Sequence, residues 1–199
     1  MTAPRPIPRR PLAVLLALAL LALGVWAAYA GRSGPEAAFA RHMIPHHAQA
    51  VEMARLLEAR TSDPNLQTLA RDIYLTQEAQ IGQMRAWLPP WERPFSRSAR
   101  FDPAVLAAMG MAREAEVADL ASKRGREAEV RFLQLMIRHH QGAVPMITQA
   151  LPEVQRELPR NLLLAMAKSQ TLEIALMEQL LAERGGVPLP PPPSSGHRH

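Results

Sequence analysis

The chain repeats itself at one fixed offset, and few features constrain a fold more. The stretch EAAFARHMIPHHAQAVEM beginning at Glu36 aligns without a gap on EVRFLQLMIRHHQGAVPM beginning at Glu129. Phe39 pairs with Phe132, Met43 with Met136, Ile44 with Ile137, His46 with His139, His47 with His140, and Met53 with Met146. The same spacing of 93 then relates Leu69 to Leu162, Gln77 to Gln170, Ile81 to Ile174, Met84 to Met177 and Leu88 to Leu181. Composition alone does not produce such a register over two separate segments, so the chain is a tandem duplication.

Each unit has the periodicity of two helices. At about 100° per residue, Glu36, Phe39, Met43, His46, His47, Ala50, Met53 and Leu57 fall within an arc of roughly 120°. Arg41, Pro45, Glu52 and Arg55 fall outside it. Asp63-Pro64 is a helix start, with Asp as N-cap and Pro at the first helical position. Leu66, Leu69, Ile73, Gln77, Ile81, Met84 and Leu88 keep helical spacing beyond it. The short loop at Thr61-Ser62 makes the two helices antiparallel neighbours. In the second unit the partners span about 127–150 and 159–184, ending at Gly185-Gly186. Two hairpins, each apolar on one side, bury those sides together, so the expected fold is all-α: a four-helix bundle from tandem hairpins.

The expected organisation is hairpin 1 over residues 35–88, a connector over 89–125 and hairpin 2 over 126–184. Asp102-Pro103 opens one short connecting helix, and Met111 to Lys123 carries a second. Pro45 is expected to kink or start a helix, yet Arg138 stands at the equivalent place in hairpin 2. Pro145 has no counterpart in hairpin 1. Residues 185–199, proline-rich and ending in His197-Arg198-His199, have the composition of a disordered tail.

Residues 1–30 have the composition of a targeting segment. Arg5, Arg9 and Arg10 precede an apolar run from Leu12 to Ala30, and Ala28-Tyr29-Ala30 has the small-x-small pattern of a signal-peptidase site. The run also approaches the length of a bilayer span, with Trp26 and Tyr29 suited to an interface. A cleaved signal and an uncleaved anchor both fit. Both place the remainder outside the cytoplasm, periplasmic or at the cell surface, with membrane contact only through this segment. The three arginines supply three of the five excess positive charges on the chain. The rest has no basic cluster interleaved with aromatics, which excludes a nucleic-acid surface of that kind.

Cysteine is absent, whereas there are 10 Met and 7 His. Thioether and imidazole are therefore the soft-metal ligands available, a pair suited to copper(I) in an oxidising compartment. Met43 and His47 are four residues apart and His46 and Met53 seven, spacings that return side chains to one helix face. Met136, His139, His140 and Met146 repeat the pattern. Met84 and Met177 lie late on the partner helices, where they add ligands only if the hairpin register brings them level. Glu36 and Glu129 are either acceptors for an imidazole N–H or acidic residues in a first helical turn. Inward Met is commonly core filler and a single buried His commonly a hydrogen-bonded core residue. A His pair on an apolar stripe, present in both units, favours a site, because burying imidazole without a partner is costly. Zinc has little use for Met. A di-iron centre needs Glu-x-x-His, which is missing. No nucleophile arrangement or phosphate loop appears.

Phe39…Met43-Ile44-Pro45-His46-His47…Ala50-Val51-Glu52-Met53-Ala54 and Phe132-Leu133…Met136-Ile137…His139-His140-Gln141-Gly142-Ala143-Val144 resemble the duplicated signature of the domain-of-unknown-function 305 family. Gly110-Met111, Gln77…Ile81…Met84 and Gln170…Glu173-Ile174…Met177 resemble its other landmarks. The likeness covers roughly residues 36 to 183. It implies a ferritin-like four-helix bundle exported in bacteria, with some members associated with copper binding or resistance. By position, His46, His47, Met43 and Met53 match one motif and His139, His140, Met136 and Met146 the other. The family often has Asp where Glu36 and Glu129 stand and generally lacks a proline at the place of Pro145, which bears on the geometry of Met146.

Three readings follow. The first is a non-enzymatic copper(I) carrier or buffer, with a metal ion and a further copper protein as partners. The second is a copper-dependent redox enzyme. The third is a structural or interaction bundle whose histidines serve the core.

Overall fold

The computed structural model describes residues 9–30, 34–92 and 101–193. Among them are seven α-helices and no strand. They are α1 (Arg9–Ala30), α2 (Pro35–Glu58), α3 (Pro64–Arg85), α4 (Pro103–Ala108), α5 (Glu114–Ser122), α6 (Gly125–Ala150) and α7 (Glu157–Glu183), with a 3-10 turn at Pro90–Glu92. The all-α, four-helix fold expected from the duplication is the one observed, with α2–α3 as one hairpin and α6–α7 as the other.

Ion pairs record the direction of each pairing. Arg41 meets Glu92, Arg55 meets Glu78 and Glu58 meets Arg71, so the chain after α2 runs back along it. His140 meets Glu173 and Arg184 meets Glu129, so α6 and α7 are likewise antiparallel. Between hairpins, Arg156 reaches Glu36 while Thr61 donates to Glu129 at 2.6 Å, so α2 and α6 cross in opposite senses. Two hairpins related by a pseudo-twofold axis result.

Local signals start the helices where the sequence places them. Asp63 accepts from the backbone N–H groups of Asn65 and Leu66, and Asp102 from that of Ala104. These bonds satisfy donors that a first helical turn leaves open. Both α2 and α6 run unbroken through their internal prolines, Pro45 and Pro145, so neither starts or ends a helix there. The end of α7 comes at Gly185, whose φ of +65° is open to glycine without strain.

The core has two halves. One contains Met53, Leu57, Leu66 and Ile73 of hairpin 1 with Phe132, Met136, Met177 and Leu181 of hairpin 2. The other contains Phe39, Met43, Ile81 and Met84 with Ala143, Ile147, Leu163 and Met166. His46 and His47 of α2 and His139 and His140 of α6 lie between them along both helices, all fully buried.

Three expectations meet the structure differently. On α1, residues from Val14 to Trp26 expose their large apolar side chains. The anchoring helix that was one reading of this segment is not found: among the described residues, no helix is long and apolar enough to cross a membrane. Arg5 and the terminal His197 and His199 lie outside the described residues. The segment from Val187 to Pro193, whose composition suggests disorder, is irregular but held: Leu189 packs on the core and Gln134 donates to the Val187 carbonyl at 2.8 Å.

Candidate metal centre

Adjacent residues on a helix point about 100° apart, and that rotation shapes the histidine layer. His46 and His139 turn towards each other across the pseudo-twofold axis, with ring centroids 3.7 Å apart and planes tilted by 32°. His47 turns instead to α3, where its Nε2 lies 2.7 Å from Gln80 Oε1. His140 turns to α7, where its Nε2 lies 2.7 Å from Glu173 Oε2. Within each helix the neighbouring rings stand more than 6 Å apart, at 6.3 and 6.1 Å.

These contacts select the tautomers. Carbonyl and carboxylate oxygens only accept, so each bonded Nε2 carries the proton and donates it. His46 follows the same rule, its Nε2–H donating to the Met109 carbonyl at 2.9 Å. The lone pair of each neutral ring then resides on Nδ1. The Nδ1 atoms of His46, His47 and His140 are buried and have no hydrogen-bond partner, and neither nitrogen of His139 has one. Such orphaned acceptors are rare in a folded core and call for an explanation.

Burial keeps the rings of His46, His47 and His139 neutral. It pushes the His46 imidazole down to about 4 despite its bond to Met109, and with the neighbouring His46 it pushes His47 down to about 3. His139 is held well below its ordinary value by burial and then by the other three histidines. Neutral imidazole is the form that ligates metal.

The hairpin register settles which thioethers come level with them. His47 opposite Gln80 sets Met43 opposite Met84 one helical turn away, and both lie fully buried in one core half. His140 opposite Glu173 sets Met136 opposite Met177 in the same way, in the other half. Met84 and Met177 thus take positions beside the histidine layer that sequence alone could not assign.

The expected sets are rearranged in two respects. Within each expected set the two methionines, Met43 with Met53 and Met136 with Met146, fall in different halves of the core. Met53 belongs to the core half of Met136 and Met177, and Met146, partly buried, packs against the half of Met43 and Met84. Seven residues along α2 or α6 cross the histidine layer from one core half to the other. Glu36 and Glu129 also do not support imidazole. Glu36 accepts from Arg156 at 2.8 Å, and Glu129 accepts from Arg184 at 2.9 Å and from Thr61. Among the described residues, no group of three or more His, Asp or Glu side chains is placed to hold a metal ion. Any soft-metal site here therefore needs the methionines.

Sequence reading missed Gln80 and Met109, and singled out Glu173 only as a family landmark without a role. Gln80 and Glu173 stand at the same offset of 93 that relates the other pairs, but as Gln against Glu they carry no identity for the eye to catch. Met109 acts through its backbone, which leaves no signature in sequence.

The comparisons with known proteins bear on the whole bundle. A DUF305 protein from Streptomyces coelicolor is 39% identical with a TM-score of 0.69, over 79% of this chain and 98% of that one. A DUF305 fragment from Deinococcus radiodurans is 38% identical with a TM-score of 0.66, over 75% and 96%. CopM in its Cu(I)-bound form is 28% identical with a TM-score of 0.60, over 76% and 98%, and CopM is also solved with silver and with Cu(II). The uncharacterized protein L153 of Acanthamoeba polyphaga mimivirus is 41% identical over 46 residues, and the chain spans 30% of its length. The family profile described as Domain of unknown function (DUF305) matches residues 36–181. With about three-quarters of its length and nearly all of both hairpins inside that match, the chain belongs to the DUF305 family.

Proposed function

We propose that this chain is an exported copper(I)-binding protein that captures and buffers the ion, each hairpin holding one. In hairpin 1 the ligands are His47, Met43 and Met84, and in hairpin 2 His140, Met136 and Met177. His46 and His139 lie between the two and offer further nitrogens, while Met53 and Met146 border the opposite hairpin's set. The observation that carries this reading is the pair of buried, partnerless Nδ1 atoms on His47 and His140, each ring oriented by an acceptor on its other nitrogen. Metal-binding histidines are oriented in the same manner, with the remote N–H given to a carboxylate or carbonyl. Thioether sulfur and imidazole nitrogen suit a soft, monovalent ion and shield it from redox cycling.

CopM, solved with Cu(I), silver and Cu(II) bound, supports the choice of metal. Export rests on the basic and apolar character of residues 1–30 and on the Streptomyces coelicolor relative, described as secreted. The test is a Cu(I) titration of the full chain against a competing chelator, with metal analysis for stoichiometry. Two tightly held equivalents are expected. The variant with His47→Ala and His140→Ala should lose both while keeping its far-UV helicity. Unchanged affinity in that variant would exclude these ligands.

A further inference from the structure

An open groove of about 470 Å³ lies beside the bundle, walled by α2, α4 and α6. Its lining is mostly apolar, but it brings together two soft-metal ligands, His42 of α2 and Met146 of α6. His42 is exposed and its Nδ1–H donates to the Ala38 carbonyl at 3.1 Å, which leaves the Nε2 lone pair free. Phe101 steadies the ring from 5.2 Å. Carbonyl-anchored imidazole with one free nitrogen is the arrangement seen in the buried layer, here reachable from solvent.

His42 breaks the duplication in sequence, and Met146 departs from its counterpart in burial. Residue 135, the counterpart of His42, is a fully buried Leu, and Met53, the counterpart of Met146, is fully buried in the core. The opposite end of the bundle therefore does not repeat this groove with these ligands. The groove also adjoins the core half of the proposed hairpin 1 site. Met146 packs against the core half that holds Met43 and Met84, and Met109 in the groove wall gives its carbonyl to His46.

We infer that His42 and Met146 form a separate, solvent-accessible site for a soft monovalent cation, the point at which the ion first engages the protein. The inference rests on the copper reading above and adds a ligand, His42, outside the duplicated motif. Imidazole and thioether together discriminate against hard divalent ions, which prefer oxygen. Glu153 at the groove margin is the carboxylate that a harder ion would use instead.

The experiment is an NMR titration of the full apo chain, labelled with carbon-13 in the methionine methyl groups, with silver(I) in chloride-free buffer. Met146→Leu identifies the Met146 signal, and His42→Ala, a change at an exposed position, tests the pairing. The Met146 signal should shift on addition of silver, and that shift should be lost in His42→Ala while the Met84 and Met177 signals still respond. If Met146 stays unmoved while the interior methionines shift, or shifts equally in His42→Ala, the groove site is refuted and the interior sites stand. If no methionine responds, both proposals fail. An equal shift with zinc would overturn the assignment to a soft ion.

Discussion

Gln80 and Glu173 occupy the same position in the two hairpins, but one offers an amide oxygen to its histidine and the other a carboxylate. The difference has consequences for a bound ion. A carboxylate acceptor makes the imidazole a stronger donor at its remaining nitrogen, and its negative charge offsets that of a cation held by neutral ligands. Hairpin 2 is therefore expected to hold copper(I) more tightly than hairpin 1, so that the two equivalents fill in sequence. Replacing the carboxylate, Glu173→Gln, should weaken the tighter step by roughly ten- to a hundredfold, the usual effect of removing such a partner. Stepwise competition with a chelator measures it. Two steps of unchanged separation in Glu173→Gln would show that the carboxylate does not tune the metal.

At the scale of elements, the connector is what closes the histidine layer. The turn at Met109-Gly110 presses on α6 so closely that a Cβ on Gly142 would lie 2.0 Å from the Met109 carbonyl oxygen. A Cβ on Gly110, whose φ is +70°, would lie 2.2 Å from that of Arg138. Gln49, the counterpart of Gly142, fastens the same connector to α2 by exchanging two hydrogen bonds of 2.8 Å with the backbone of Ala112. Arg138 adds a bidentate contact to Glu116 of α5, whose carboxyl burial would raise but which this arginine and the Arg113 N–H hold down to about 2. Gly142→Ala forces backbone apart from backbone, so it should cost about 1–3 kcal/mol, in the range of overpacked interiors. A urea unfolding midpoint reads the loss, and a midpoint equal to that of the parent would mean that the connector yields freely. Periodicity at 3.6 residues and the Asp-Pro caps made the long helices legible in sequence, because those signals are local. The seating of Met109 over His46 was not legible, because it depends on the approach of two backbones from distant parts of the chain. The sequence likewise revealed the stripe that carries His46, His47, Met43 and Met53, but not that one rotation of 100° parts the two rings.

For the molecule as a whole, the duplication makes two ends that ought to be alike, and the arginines show how far they have diverged. Glu36 and Glu129, equivalent acidic residues near the starts of α2 and α6, each clasp an arginine that links the hairpins or closes one of them. At the Glu36 end the partner is Arg156, whose side chain is 56% exposed. At the Glu129 end it is Arg184, only 8% exposed, which also pairs with Asp63, while Thr61 donates to the Glu129 carboxylate. This second cluster ties the start of α6 to the loop of hairpin 1 and the end of α7, so three segments depend on one guanidinium. Breaking a buried, hydrogen-bonded pair by removing one partner typically costs about 3–5 kcal/mol, since the remaining charge is left in the core. An ion pair with a solvated partner contributes less, roughly 1 kcal/mol or below. Arg184→Ala should accordingly lower the stability of the apo protein several times more than Arg156→Ala, with unfolding in urea as the measurement. Removing the acid as well, as Glu129→Gln with Arg184→Ala, should recover part of the loss, because no unpaired charge then remains. Equal costs at Arg184 and Arg156 would show that the two ends remain energetically equivalent, and that burial of the cluster around Glu129 contributes nothing of its own to holding the hairpins together.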